Sequence, residues 1–244
     1  MDEGKIAPVE TELIAKLTEF ETKYRVDPST LIEFKRIMDS LPDKKGFVYV
    51  ESPDSYYTNE HISKQFTDFA STLKDKDAEK LQEIIKNTIG KFPPFMRYRR
   101  PQPNADQNSR QELTTKYKRD GSKNNIQREE KNIRVDSTSP DVIGSFVADI
   151  GYRPNFEIWK HCHIYNCNDA TIVFYTVYDT TDGKSNKMDS FCEIEVDEDT
   201  IHDKTENEAW SIIEKYEKLL EPLGISAKTR LRKSLFEIYK RELK

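Results

Sequence analysis

The sequence predicts an α+β fold: a closed antiparallel β-barrel of about eight strands, with a charged lumen and helices packed on its outside. Three observations point there. Strand-like segments recur with a charge at every second residue. Amphipathic helical patterns stand between them and at the C-terminal end. No Pro- or Gly-rich linker and no internal repeat divides the 244 residues, so residues 1–244 read as one domain.

Residues 9–17 carry Leu13, Ile14 and Leu17 at helical spacing. EFETKYR (19–25) follows, and its alternation puts Glu19, Glu21, Lys23 and Arg25 on one face of a strand. Asp27 and Pro28 then open a helix, with Leu31, Phe34, Ile37, Met38 and Leu41 on its apolar side. KGFVYVESPDSYYT reads as a second strand with a turn at Pro53-Asp54.

A helical insertion occupies about 58–94, built on Ile62, Phe66, Phe69 and Leu73 and then Leu81, Ile84, Ile85 and Ile89; its regular apolar stripes suggest packing. FMRYRR (95–100), QELTTKYKR (111–119) and NIQREEKNIRVD (125–136) are strands joined by turn-rich stretches. SPDVIGSFVADIG is helical or irregular. Strands follow at 155–165 and 170–179, then a hairpin loop, DGKSNKMDS, and a strand at 191–199. C-terminal helices occupy about 206–243: one spans 207–220, and a last one, capped by Ser226, carries Leu231, Leu235 and Ile238.

Composition narrows the function. A charged fraction of 34% with 12 Tyr and 12 Phe is too aromatic for a disordered chain. A net charge of −5 argues against a general nucleic-acid or membrane-surface binder. The three cysteines have no zinc spacing and make an unlikely disulfide framework; with no signal or spanning segment, this places the protein in the cytoplasm. Neither GxxxxGK[ST] nor GxGxxG occurs.

The charged faces carry the chemistry. Arg97 and Arg99 share a face, as do Thr114, Lys116 and Lys118, then Arg128, Glu130, Asn132 and Arg134, then Glu193 and Glu195. On any single strand such a face is ordinarily the wet outside. The amphipathic helices need an apolar surface, however, and Phe20/Tyr24 and Met96/Tyr98 supply one on the opposite faces. The charges then converge on the interior, where Lys and Arg match a polyanion and paired Glu hold a divalent cation.

On these residues the chain resembles the CYTH, or triphosphate tunnel metalloenzyme, superfamily. ExExK is present as Glu19, Glu21 and Lys23, followed in order by SPDSYY, Arg97-x-Arg99, Thr114-x-Lys116, Arg128-x-Glu130, Lys160, the Asp179 of VYD and the F-x-E-I-E strand with Glu193 and Glu195. The resemblance spans about residues 17–225. It implies Mg²⁺ or Mn²⁺ bound by Glu19, Glu21, Glu193 and Glu195, with Asp179 added to that set. It also implies a phosphate clamp of Lys23, Arg97, Arg99, Lys116, Arg128 and Lys160, supported by Glu130; Lys118 joins the substrate-binding set through strand alternation alone. Glu21, Glu195 and Lys23 would be the catalytic centre. One departure stands out: relatives carry a second cation two residues after Lys160, where this chain has Cys162, with His161 and His163 as neighbours able to substitute.

The implied activity is metal-dependent hydrolysis of a triphosphate-containing small molecule, tripolyphosphate or a nucleoside triphosphate. The alternatives are an RNA 5′-triphosphatase acting on a triphosphorylated RNA end, a class IV adenylate cyclase-like enzyme, and a non-catalytic polyphosphate-binding module. No membrane partner is implied, and the sequence leaves the oligomeric state open.

Overall fold

A computed structural model describes residues 18–87, 93–100, 111–118, 127–136, 138–197, 200 and 205–242. Among these, the side chains of Glu19, Lys116, Lys118, Arg128 and Glu130 lie outside the described residues, as does the whole segment 9–17.

Among the described residues there are nine antiparallel strands: β1 (Thr18–Val26), β2 (Gly46–Thr58), β3 (Phe95–Arg99), β4 (Glu112–Lys118), β5 (Gln127–Arg134), β6 (Arg153–Asn166), β7 (Ala170–Asp179), β8 (Asn186–Val196) and the short β9 (Arg230–Leu231). Their order is β5-β4-β3-β2-β6-β7-β8-β1-β9. β5 also pairs with the start of β1, Thr18–Phe20 against Gln127–Glu129, so β1 to β8 curl into a barrel. β9 lies against Lys23 and Tyr24, further along the same edge of β1.

Helices occupy the outside. α1 (Leu31–Asp39) and α5 (Glu206–Leu219) bury Phe34, Ile37, Met38, Ile212, Ile213 and Tyr216 against Phe20, Tyr24, Phe174 and Ile194 of the barrel wall. α4 (Pro140–Asp149) sets Ile143 and Val147 on Met96, Tyr98 and Leu113. Alternate strand residues therefore sit under helices, which directs the residues between them inward. The Asp27 side chain accepts from the Ser29 N–H to start the segment leading into α1, and a Thr205–Glu208 capping box starts α5.

A buried polar network also fastens α5 to the wall. The Tyr24 hydroxyl donates to Glu217 at 2.6 Å, and Arg230 grips the same carboxylate through Nε at 2.5 Å and Nη2 at 2.6 Å. Burial and the Glu217 hydrogen bond push the Tyr24 hydroxyl far above its ordinary pKa, so it stays a donor.

Several expected boundaries move. β2 runs through Pro53-Asp54 without turning, with Pro53 opposite Trp159. β8 begins at Asn186, so the preceding loop is shorter than expected. Ser226 caps only a 3₁₀ turn, Ala227–Thr229; the last helix, α6 (Leu235–Tyr239), is capped by Ser234 instead. Within the insertion, α2 (Glu60–Ala70) and α3 (Asp75–Asn87) form, but most of their described residues face solvent; Phe69 is 57% exposed rather than packed. Among the described residues no helix is long and apolar enough to cross a membrane.

Candidate functional site in the barrel lumen

The barrel encloses a cavity of about 310 Å³, and the predicted alternation determines which residues reach it. Glu21 and Lys23 of β1 line it, as do Arg97 and Arg99 of β3, Lys160 of β6, and Glu193 and Glu195 of β8. Sequence reasoning missed Glu112 of β4, whose spacing to Thr114 was the available signal, and Thr171 and Tyr175 of β7, which alternate through a run that reads as apolar.

Register explains the pairing of charges. Glu21 lies opposite Glu195, and Lys23 lies opposite Glu193. The second pair is complementary: Lys23 Nζ is 2.8 Å from Glu193 Oε1, and the Tyr175 hydroxyl donates to the same oxygen at 2.8 Å. Burial alone would raise the Glu193 carboxyl, but Lys23 and its hydrogen bonds hold it down to about 2. The first pair sets two carboxylates opposite each other in register.

A second cluster stands on β2, β3, β4 and β6. Asp54 is wholly buried, with Oδ2 2.7 Å from Lys160 Nζ and Oδ1 3.2 Å from Arg99 Nε. Burial would raise its carboxyl, yet Lys160, Arg99 and Arg97 keep it well below the usual range. Burial, Arg99 and Arg97 lower the Lys160 ammonium against the opposing pull of Asp54. Arg97 donates to Thr114 at 2.9 Å and lies 3.4 Å from Glu112.

One end of the lumen is apolar. Leu235 and Phe236 of α6 line the cavity there, and the Phe236 ring stacks on Phe95 with centroids 4.5 Å apart. Tyr56 and Phe156 extend the stack at 4.5 Å. Tyr56 and Phe95 stand on β2 and β3, but alternation could not have found Leu235 and Phe236, which come from a helix rather than from a strand.

Asp179 is placed elsewhere than expected. It sits at the end of β7, where its carboxylate accepts from the Thr181 N–H at 2.9 Å and from Arg241, beyond α6, at 2.6 Å; it does not line the cavity. The tail that follows α6 supplies its counter-ion. Cys162 lines the lumen where a cation was expected, and burial pushes its thiol up to about 11. His161 packs against Trp159 and Tyr178, with ring centroids 6.3 and 4.7 Å away, and His163 against Phe47 and Tyr49 at 6.2 and 5.1 Å. Neither histidine lines the cavity to replace the missing cation. For Glu19, Lys116, Lys118, Arg128 and Glu130 only register is described: Glu19 opposite Arg128, Lys116 opposite Glu130, and Lys118 opposite Arg128.

The chemistry of the donor set fits a hard divalent cation at Glu21 and Glu195: two opposed carboxylates on the wall of a polar cavity. Among the described residues no group of three or more His, Cys, Asp or Glu is gathered as a complete ligand set. Mg²⁺ takes one or two carboxylates from a protein and its other ligands from phosphate oxygens and water.

The profile of the Med18 protein family matches residues 45–215. No curated protein matches the sequence. Among solved structures, the chain is similar to a conserved hypothetical protein from Pyrococcus furiosus, with a TM-score of 0.58 and 17% identity, covering 91% of this chain and 99% of that one. It is also similar to a chain of the Schizosaccharomyces pombe Mediator head module, with a TM-score of 0.54 and 10% identity over 84% of this chain and 96% of that one. A putative adenylate cyclase from Vibrio parahaemolyticus gives a TM-score of 0.51 and 17% identity over 91% and 97%. At such identities the likeness is one of fold, and it supports the CYTH-like architecture; the family profile that matches is Med18, not CYTH. Arg97, Arg99, Lys160, Glu193 and Glu195 fall inside the matched segment, whereas Glu21 and Lys23 precede it.

Proposed function

The chain belongs to the Med18 family, and we propose that its barrel lumen is a metal-dependent triphosphatase site. One observation carries this reading: Lys23, Arg97, Arg99 and Lys160 converge on the same cavity as the opposed carboxylates Glu21 and Glu195. Phosphoryl transfer asks a protein chiefly for positioning and for stabilisation of charge, and these residue types supply both.

Arg97 and Arg99 would present guanidinium forks to phosphate oxygens, while Lys23 and Lys160 act as point charges. Glu21 and Glu195 would hold Mg²⁺ or Mn²⁺, which when bound offsets phosphate charge and lowers the pKa of water. Lys23 is held beside Glu193, so it faces the phosphates from the β1–β8 side, next to the two carboxylates. The lining carries four described cations and four described carboxylates, so the wall alone does not favour a polyanion. The phosphate chain would therefore enter together with the divalent cation. Substrates consistent with this lumen are tripolyphosphate, nucleoside triphosphates and a triphosphorylated RNA end.

A second reading, a non-catalytic binding or assembly module, is favoured by the internal ion pairs, since Lys23, Lys160 and Arg99 already have carboxylate partners. The similarity to a chain of the Mediator head module points the same way. The deciding experiment measures orthophosphate release from tripolyphosphate, ATP and 5′-triphosphorylated RNA with Mg²⁺ or Mn²⁺, monitoring pyrophosphate and cyclic AMP as well. Metal-dependent orthophosphate release supports the triphosphatase. Binding without turnover supports the module, and pyrophosphate with cyclic AMP supports a cyclase.

A further inference from the structure

Asp54 is the most deeply buried charged group of the lumen's surroundings, and no role for it follows from the metal or clamp assignments. Its exposure is 0%, and it is absent from the cavity lining, whereas both of its cationic partners are in that lining. On β2 Asp54 shares the inward face of Ser52 and Tyr56, so its carboxylate lies inside the barrel, covered by the two cations that line the cavity. It bridges two strands that do not touch each other: Arg99 on β3 and Lys160 on β6, which flank β2 on either side. The Ser52 hydroxyl, two residues earlier on β2, donates to Asp54 Oδ1 at 3.1 Å and fixes the carboxylate in turn.

We propose that Asp54 is the positioning residue of the phosphate clamp, a buried anchor inside the barrel that holds Lys160 and Arg99 at the cavity wall while their remaining N–H groups face the cavity. The donor inventory permits this. Lysine has three ammonium hydrogens and the ion pair with Asp54 engages no more than one; the Arg99 contact with Asp54 is made through Nε and does not use the two terminal nitrogens that a phosphate would take. Burying an ion cluster costs desolvation free energy that an apolar trio would avoid, so a positional role accounts for a carboxylate here better than stability does. Glu112 and Glu193 differ, since they stand in the cavity wall themselves and share it with any ligand.

The inference rests on the phosphate-clamp reading, and the test separates the two. Binding of tripolyphosphate with Mn²⁺ is measured by calorimetry for the wild type, Asp54→Asn, Lys160→Met and the double variant, with circular dichroism as the check on folding. Asp54→Asn is expected to weaken binding at least about tenfold, and the double variant to fall clearly short of the product of the two single effects, because Asp54 acts partly through that lysine and partly through Arg99. Ser52→Ala perturbs the carboxylate without altering charge and is expected to weaken binding about threefold, which keeps the proposal testable if Asp54→Asn does not fold. A wild type that binds no tripolyphosphate overturns the clamp and this role together. A wild type that binds, with effects that multiply in the double variant or with Asp54→Asn binding more tightly, overturns the role of Asp54 alone.

Discussion

Replacing Glu193 with Gln should destabilise the barrel by an amount the structure allows to be worked out. The carboxylate sits 2.8 Å from Lys23 Nζ and accepts the Tyr175 hydroxyl at 2.8 Å, and it titrates at about 2 instead of the ordinary 4.5. By linkage that depression corresponds to about 3 kcal/mol. The Glu193 side chain is 22% exposed, so water screens part of it, and about 2 kcal/mol is the working figure. For a chain of this size the loss lowers Tm by about 4–8 °C.

The sign with pH follows from the direction of the shift. A depressed carboxyl stabilises above its unfolded pKa, so the gap between wild type and Glu193→Gln is full at pH 7 and narrows as pH falls from about 4.5 toward 2. Scanning calorimetry of both proteins at stepped pH measures it. Equal Tm values at pH 7, or a gap that widens on acidification, would refute the buried Lys23–Glu193 pair as described.

Glu21→Gln and Glu195→Gln should each cut metal-dependent phosphate release roughly 100-fold in a steady-state assay, with the circular dichroism spectrum unchanged. Arg99→Ala is expected to weaken tripolyphosphate binding about 10- to 100-fold by calorimetry and to lower stability rather than raise it, because it removes a counter-ion of the buried Asp54. Asp179→Asn should leave turnover within about twofold of wild type and cost only about 0.5–1 kcal/mol in urea unfolding, since its partner is the partly exposed Arg241. Phe236→Ala removes a ring stacked on Phe95 at the lumen floor; the expected loss is about 3–5 kcal/mol, seen as a fall in Tm of about 6–20 °C.

The barrel was legible because two periodicities coexist in the sequence. Period-two charge on EFETKYR and FMRYR, set against apolar stripes in helices such as 31–39, leaves one arrangement in which both are satisfied: helices outside and charge inside. The strand that begins at Asn186 and the short α6 were not legible. Asn186, Lys187 and Asp189 carry turn and loop composition, and only pairing with Tyr178 and Asp179 makes this stretch a strand. Likewise, nothing local distinguishes a five-residue helix that enters the barrel end from one lying on the surface.

In the site, alternation found Glu21, Lys23, Arg97, Arg99, Glu193 and Glu195 because each occupies an inward register position, and the resemblance added Lys160, which lines the same cavity. Asp179 entered from the resemblance alone, and the Arg241 that holds it comes from the tail after α6, a long-range pairing that no local pattern in VYD reveals. Asp54 lay hidden for the opposite reason. Pro53 beside it reads as a turn, so the strand that carries it through the wall was broken at that residue.

Diffraction from crystals grown with tripolyphosphate and Mn²⁺ tests the central claim most directly. The account predicts a phosphate chain in the lumen against Lys23, Arg97, Arg99 and Lys160, with the manganese anomalous peak beside Glu21 and Glu195. A lumen holding neither phosphate nor manganese, with the Lys23–Glu193 and Asp54–Lys160 pairs undisturbed, would contradict it.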